Sequence, residues 1–427
     1  MRFTARVGVS AVALAIGLSL ASGAQSGVGH AAPPPNMVIQ WNAHMLAAFA
    51  TANVPPPAAN RLGGIVQAAV FDAVNGIEGR YTPIHVAPAA ARDASPQAAA
   101  ASASYTALVA LFPAQKPALD SELAGSLHAM DDGADSRAIT DGIAWGSSVA
   151  QQILAWRSTD GFGAAPPPYV FSSEVGQYQA TPGGSGPPKF RTLATTMPFA
   201  MTSPSEFRPA GPPSLSSARY AQDFSEVKSL GALNSATRTA YQTETARFWQ
   251  LDTPVATWDR VADQLLMENH RNLLQSARIL ALTNISITDA IIAVFDAKNF
   301  YNTWRPVTAI VDADLDGNPA TAPDPTWLPL MTTPYFQEYP SAHSGTSSAA
   351  AATLASFFGE NATFMVTSAG SPGVERSFTS FRDAVAQVVD ARVYAGFHFR
   401  FSCDDANIMG AEVSEAVLTR LIQPAGD

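Results

Sequence analysis

The sequence contains little cysteine and little charge. Cys403 is its single cysteine among 427 residues, so no disulfide can form within the chain and stability must come from packing. A small buried apolar role is the simplest interpretation of this thiol, with a catalytic role as the alternative. Charged residues make up 14% of the chain, and the formal net charge is −10. This balance argues against nucleic acid or an anionic membrane surface as a partner.

Long apolar runs are also scarce beyond the N-terminal region. The most apolar later stretches are interrupted by Asp289 and Asp296, or by serine and threonine in residues 347–356. A helix needs about 20 predominantly apolar residues to cross a bilayer. We therefore expect no membrane span in the mature chain.

The N-terminal residues have the pattern of a secretory signal. Arg2 and Arg6 precede an apolar run over residues 7–20, and small residues follow. We predict that residues 1–31 are a signal peptide and its cleavage region, with cleavage after Ala24 or after Ala31. A secreted, periplasmic or cell-envelope protein follows. A membrane anchor is the alternative, although the run is short and no lipidation cysteine follows it.

The rest of the chain shows helical spacing of its apolar residues. Apolar residues make up 47% of the sequence, which is enough for a large core, and no strand pattern competes with the helical one. The sequence therefore predicts a mainly α fold. Predicted helices span residues 36–52, 60–77, 95–112, 116–130, 135–156, 216–230, 235–251, 255–282, 286–302, 347–358, 373–395 and 404–422.

A long segment rich in proline, glycine, serine and threonine interrupts this pattern at residues 161–213. We predict an N-terminal helical half at 32–230 that contains this loop, and a C-terminal helical half at 231–427. Structureless loops of this length are unusual within a compact fold, so the segment wraps the body or covers the site. A disordered linker is the alternative. Aromatic anchors favour wrapping, and they are Tyr169, Phe171, Tyr178, Phe190, Phe199 and Phe207.

Three separated motifs carry groups that suit an oxyanion site. In the first, Lys298 and Arg305 are seven residues apart, so a continuous helix would direct both cations to the same side until Pro306 ended or kinked it. In the second, Ser341 stands at a helix N-cap before His343. A helix that begins there presents free N–H groups and a positive dipole end to an anion.

The third motif places Arg392 six residues before His398. On a continuous helix this spacing puts the two side chains on different faces. They meet one ligand only if the chain bends between them, and Gly396 is the residue that allows a bend.

Together the three motifs resemble the signature shared by the vanadium-dependent haloperoxidases and the type 2 phosphatidic acid phosphatases. That signature reads lysine, six residues, Arg-Pro; then Pro-Ser-Gly-His; then arginine, five residues, histidine. The likeness covers residues 289–410, and it implies paired four-helix bundles with the site in the C-terminal bundle. Two departures stand out: Ala342 replaces the usual glycine, and Ser402 occupies a position that often holds aspartate. Asp404 and Asp405 are the nearby carboxylates left to orient the site.

The resemblance also implies roles for individual residues. His398 would bind the vanadium of a vanadate cofactor, and His343 would be the acid–base group, with Lys298 as a further catalytic residue. The vanadate or phosphate oxygens would be held by Lys298, Arg305, Ser341, the N–H of Ala342, and Arg392. By motif position, Phe295 and Phe336 would line the halide pocket, and phenylalanine at the latter position resembles chloroperoxidases.

The function that this resemblance implies is that of an exported vanadium-dependent haloperoxidase. Its partners would be hydrogen peroxide, a halide and a small organic acceptor, and its product hypohalous acid. The alternative is a soluble acid phosphatase that forms a phosphohistidine at His398 in the same pocket. A third possibility is an exported protein that captures phosphate or vanadate without turnover. The residues do not identify the halide or the oligomeric state.

An acidic turn follows the first motif. Asp312, Asp314 and Asp316 match the start of an EF-hand loop, but the twelfth position holds Pro323 where a bidentate glutamate is required. We therefore interpret this segment as a carboxylate-rich turn.

Overall fold

The chain folds almost entirely into α-helices, which confirms the mainly α prediction. The computed structural model describes residues 36–91, 93–130 and 135–426, so the predicted signal region at 1–31 lies outside the described residues. Thirteen α-helices and one short hairpin occur within these ranges. They are α1 (Met37–Thr51), α2 (Pro56–Glu78), α3 (Pro96–Leu111), α4 (Lys116–His128), α5 (Ser136–Ser158), α6 (Ala218–Leu230), α7 (Ala240–Gln250), α8 (Pro254–Glu268), α9 (Leu273–Tyr301), α10 (Pro306–Val311), α11 (Ala342–Phe358), β1 (Phe364–Thr367), β2 (Glu375–Phe378), α12 (Phe381–Tyr394) and α13 (Arg400–Arg420).

The break predicted between residues 282 and 286 is wrong. The chain instead breaks between α8 and α9, where His270 adopts a left-handed conformation with φ 49°. Asn272 then starts α9 through a reciprocal capping box with Gln275. Because Asn284 donates its amide to the Leu280 carbonyl inside the helix, it does not interrupt α9.

The single helix predicted over residues 373–395 is also wrong, as is the expectation of no strand. Glu375–Phe378 pairs antiparallel with Phe364–Thr367, and every second residue of each strand is buried. Ser380 then caps α12 by accepting a hydrogen bond from the Asp383 N–H. The alternating burial of only four residues per strand is too short a pattern to distinguish from a helix start.

Helix α9 is the central element of the fold. It packs against α2 on one side and against α11 on the other. Contrary to the expectation that no later stretch qualifies, this 29-residue helix is long and apolar enough to cross a membrane, but 94% of its most apolar window is buried inside the protein. It therefore has the burial of a core helix.

The division of the chain into an N-terminal half at residues 32–230 and a C-terminal half at residues 231–427 stays a prediction.

Residues 161–213, called the strap below, wrap along α9. Asp289 on α9 accepts hydrogen bonds from three successive strap N–H groups, those of Phe199, Ala200 and Met201, at 2.7, 2.7 and 3.1 Å. Further along, Arg208 forms a bidentate ion pair with Asp296 at 2.7 and 2.9 Å. These contacts hold the strap against the helix that carries Lys298.

Candidate active site

The two cations of the first motif come from two different elements. Lys298 lies in the last turn of α9, which ends at Tyr301, and Asn302 then adopts a left-handed conformation with φ 51°. Arg305 is in extended backbone before α10. No single helix runs through both residues, and a chain reversal at Asn302 orients the second cation.

Lys298 is fully buried beneath the second motif. Its Nζ donates hydrogen bonds to the carbonyl oxygens of Gln337 and Glu338 at 2.7 and 2.8 Å. The same ammonium lies 5.3 Å from the centre of the Phe336 ring. These contacts fix the segment that leads into α11.

Arg305 contacts the second and third motifs at once. Its Nε donates to the Phe336 carbonyl at 2.8 Å, and its Nη1 donates to the Phe397 carbonyl at 2.9 Å. The same Nη1 lies 3.1 Å from Nε2 of His398. Its Nη2 is buried and has no hydrogen-bond partner. One guanidinium thus joins two segments that are about 60 positions apart in sequence.

The second motif starts α11 earlier than predicted, at Ala342 rather than at residue 347. Ser341 occupies the N-cap, but its hydroxyl makes no capping bond and instead accepts from the Ser344 hydroxyl at 3.0 Å. Its N–H donates to the Ser402 carbonyl at 3.0 Å. The first N–H groups of α11 therefore remain available to an anion in front of the helix.

The third motif bends where predicted. Arg392 lies in the last turn of α12, and Gly396 follows with φ 80°, a left-handed conformation that favours glycine. Added side-chain atoms there would also meet the carbonyl oxygen of Gly231 at 2.6 Å. The bend allows Arg392 to donate to the side-chain oxygen of Gln250 while His398 faces Arg305.

A buried carboxylate that the sequence analysis did not assign orients His398. Oε1 of Glu338 lies 2.8 Å from His398 Nδ1 and accepts from the Phe399 N–H at 3.1 Å. An acceptor oxygen there makes Nδ1 the protonated nitrogen, so the lone pair of Nε2 points to Arg305. Glu338 stands three residues before Ser341, within the same motif, and that proximity was the only available signal.

The nearby acidic residues do not perform this role. Asp405 accepts a hydrogen bond from the Tyr339 hydroxyl at 2.7 Å, and Asp404 lies 3.6 Å from Arg219. Ser402 places its hydroxyl 3.4 Å from His398 Nδ1.

In the acidic turn, the carboxylate of Asp316 accepts hydrogen bonds from the Asn318 N–H and the Thr321 hydroxyl, which belong to the same turn.

A cavity of about 270 Å³ opens above these groups. Five of the predicted site residues line it: Phe336, Ala342, His343, Arg392 and His398. Lys298, Arg305 and Ser341 are buried behind this lining. Phe295 is also behind it, with its ring centre 5.2 Å from that of Phe336. The structure thus gathers the three motifs around one cavity and leaves Phe295 as support for one wall.

The other residues that line the cavity were not assigned to the site by sequence reasoning. Among them are Asn60 from the first turns of α2, Phe190 from the strap, and Gln250 from the end of α7. No local pattern marks any of them, because each reaches the cavity only through the packing of distant segments.

Burial is the main cause of the pKa shifts in the site. It lowers the pKa of Arg305 to about 10 and that of Arg392 to about 9, and it lowers the pKa of Lys298 well below its usual value. It raises the pKa of Glu338 to about 7, opposed by the neighbouring Arg305 and Lys298. The pKa values of both site histidines are also lowered well below the usual range by burial. Both imidazoles are therefore neutral near pH 7.

Several polar atoms around the cavity lack a partner. Nη2 of Arg305 and Nε of Arg392 are buried donors without a hydrogen bond, and Nε2 of His343 is a buried ring nitrogen without one. Buried polar groups are normally paired, and orphaned cationic donors are especially costly. Three cations face one buried carboxylate here, so a tetrahedral oxyanion with its many acceptor oxygens fits the residues present. The donor set is thus suited to vanadate or phosphate.

Comparisons with known proteins agree with this chemistry. The VCPO second helical-bundle domain matches residues 278–426. The vanadium chloroperoxidase of Curvularia inaequalis is 30% identical over 137 residues, covering 26% of this chain and 22% of that protein. The matched region therefore spans about a fifth of that relative's length.

Similar solved structures cover nearly the whole chain. A bacterial vanadium-dependent iodoperoxidase has a TM-score of 0.78 and 23% identity, covering 92% of this chain and 98% of its own. The holo form of a bacterial vanadium-dependent chloroperoxidase has a TM-score of 0.66 and 17% identity, covering 85% and 91%. At these identities the likeness shows a shared fold. Together these findings show that residues 278–426 match the VCPO second helical-bundle domain and that the chain shares its fold with bacterial vanadium-dependent haloperoxidases of known structure.

Proposed function

We propose that this protein is an exported vanadium-dependent haloperoxidase that oxidises a halide with hydrogen peroxide to hypohalous acid. The observation that carries the proposal is the environment of His398. Its Nε2 lone pair lies 3.1 Å from the Arg305 guanidinium, while Nδ1 is held by Glu338 at 2.8 Å. A neutral, oriented imidazole in front of a cationic oxyanion site suits coordination of the central atom of a bound oxyanion.

The cations would hold the oxygens of bound vanadate. Arg305 and Arg392 each have a buried donor without a partner, and Lys298 supplies a third positive charge behind them. The N–H groups at the start of α11, including that of Ala342, add neutral donors. Because the site is buried, these interactions are stronger than they would be in water.

Bound vanadate would supply Lewis-acid activation of hydrogen peroxide. His343 lines the same cavity and its pKa is lowered by burial and by Arg392, so its neutral ring can accept a proton from incoming peroxide. The ring can return that proton to a leaving oxygen. Phe336 with Phe295 behind it forms an apolar wall, and the Arg305 guanidinium lies 5.1 Å from the centre of the Phe336 ring, which is a favourable place for a weakly hydrated halide.

The rival phosphatase would use the same cations, with His398 as nucleophile. No contact in the site favours it over the peroxidase. A direct test is purification with added orthovanadate, followed by parallel halogenation and phosphatase assays over chloride, bromide and iodide. We expect peroxide-dependent halogenation that requires vanadate. Efficient vanadate-inhibited phosphatase turnover without halogenation would overturn the proposal.

Export is part of the same proposal. It rests on the charged and apolar pattern of residues 1–31. Fractionation of cells that produce the full chain, with N-terminal sequencing of the product, tests it. A cytoplasmic protein that retains residues 1–31 would contradict export without affecting the chemistry.

A further inference from the structure

Phe190 lines the cavity in a backbone conformation that aromatic residues rarely adopt. Its φ is 58° and its ψ is 26°, in the left-handed region. For a bulky side chain this conformation is a genuine outlier, and such residues persist only where surrounding contacts hold them. Outliers of this kind concentrate at functional sites, which favours a functional role for the Phe190 ring.

The strap brings the Phe190 ring to the aromatic wall. The ring centre lies 6.4 Å from that of Phe336 and 6.2 Å from that of Phe295, both in edge-to-face geometry. The preceding residue, Lys189, donates its N–H to the Tyr335 carbonyl at 2.8 Å. Two segments about 145 residues apart are thereby joined beside the cavity.

The cavity has apolar lining residues besides the residues of the three motifs. Pro56, Pro57, Pro254 and Ile291 line it together with Phe190, and this apolar lining is called the recess below. No aspartate or glutamate occurs among the described residues that line the cavity. A cationic ligand would therefore be desolvated without a counter-charge and close to Arg392, whereas an uncharged ring would find apolar walls.

The volume also exceeds what the small reactants need. A halide ion or a peroxide molecule occupies on the order of one or two water volumes of ~30 Å³. The cavity measures about 270 Å³, close to the lower end of ordinary small-molecule sites. Space remains for a ring system beside the oxyanion.

We infer that the recess is the binding site for an uncharged aromatic acceptor, and that Phe190 is its specificity-determining residue. This inference rests on the proposed function. It adds to that function the class of organic molecule that receives the oxidised halogen. The Phe190 ring would contact the acceptor edge-to-face and hold it against the Phe336 wall.

Ligand-observed NMR titration of indole against the full chain purified without vanadate tests the recess independently of turnover. We expect indole to bind and benzylammonium to bind at least about 10-fold more weakly. Phe190→Ala and Phe190→Gly should each weaken indole binding at least about 10-fold, the loss expected for a buried aromatic contact. Glycine adopts the left-handed conformation without strain, so Phe190→Gly separates loss of the ring from a backbone defect.

Phe171→Ala is the matched control, because Phe171 lies in the same strap but does not line the cavity. It should leave indole binding unchanged, and thermal unfolding should show that all three variants are folded. Orthovanadate at saturation should not displace indole. In the loaded enzyme, Phe190→Ala should raise the KM for indole at least about 10-fold and change the KM for halide much less.

Equal indole affinity in the wild-type protein and in both Phe190 variants would overturn the inference. Displacement of indole by orthovanadate would do the same, since it would place the ring in the oxyanion site. Indole binding that depends on Phe190, combined with no halogenation after vanadate loading, would instead overturn the proposed function and leave the binding site standing.

Discussion

Replacing Glu338 with Gln separates two effects that hold an anion in this site. Glu338 is 1% exposed, and its Oε1 accepts from both His398 Nδ1 and the Phe399 N–H. A glutamine oxygen can accept the same two bonds, so the substitution changes the charge and preserves the shape. Electrostatic attraction for any anion should increase, while donation by the imidazole to a coordinated metal should decrease.

The magnitudes follow from the geometry. Across the imidazole ring the carboxylate would be about 7 Å from a coordinated atom, and at an effective dielectric constant of about 20 the loss of its charge favours a monoanion by roughly 2.4 kcal/mol. That is about 50-fold in affinity. Loss of a charged partner behind a metal-binding histidine typically costs 10–100-fold. The two effects nearly cancel for a coordinated anion and do not cancel for one held by charge alone.

Phosphate is the anion that would be held by charge alone, and vanadate is the anion that His398 would coordinate. Isothermal titration calorimetry of each anion with the vanadate-free protein should show phosphate binding more tightly in Glu338→Gln by up to about 50-fold at a pH well above 7, where Glu338 with its pKa of about 7 is ionised, and by much less near pH 7. Vanadate affinity should change much less, so the ratio of the two dissociation constants should shift by about 10–100-fold. Glu122→Gln, at a half-exposed glutamate on α4, is the isosteric control and should change neither constant.

An unchanged ratio would refute the reasoning. It would mean that vanadate is held by charge alone and that His398 does not coordinate it. A ratio that shifts in the opposite direction would mean that Glu338 acts directly on the anion rather than through the imidazole.

His398→Ala should abolish vanadate-dependent halogenation while circular dichroism shows a native helix content, because one site histidine contributes little to packing; retained halogenation would contradict coordination by His398. His343→Ala should lose halide oxidation and show at most weak phosphatase activity on both aryl and alkyl phosphates; strong activity on aryl phosphates alone would indicate a phosphatase. Asp289→Asn should lower the free energy of unfolding by about 2–4 kcal/mol, since it replaces a fully buried carboxylate that accepts three N–H bonds. Urea unfolding measures this loss, and faster proteolysis within residues 161–213 should accompany it. Iodoacetamide should label Cys403 only after unfolding, because burial raises its pKa to about 12; rapid labelling of the native protein would show that the thiol is accessible.

The fold class and the residue types of the candidate site could be predicted from the sequence. Helical periodicity is a property of neighbouring residues, so most helices could be placed to within a few positions. Lys298, Arg305, Arg392 and the two histidines could be named because each motif is short. The bend at Gly396 was also predictable, since only one residue in that stretch tolerates the required backbone angle.

Sequence reasoning failed where the outcome depended on competition between local signals. A helix break at residues 269–272 and a break at 283–285 are similar in composition, and the capping box of Asn272 decided between them. The hairpin before α12 is too short to show its period. The separation of Lys298 and Arg305 into two elements depended on the left-handed conformation of Asn302, which a spacing argument does not contain.

Which groups surround the motifs depends on the packing of distant segments. Glu338 was not assigned because its partner, His398, lies 60 positions later and the pairing exists only after α11 and α13 pack. Phe190 reaches the cavity because Asp289 and Tyr335 hold the strap in place. Short motifs specify residue types that suit an oxyanion. The carboxylate behind the histidine and the walls of the recess come from long-range packing, whose free energy is spread over many contacts and leaves no pattern at any single position.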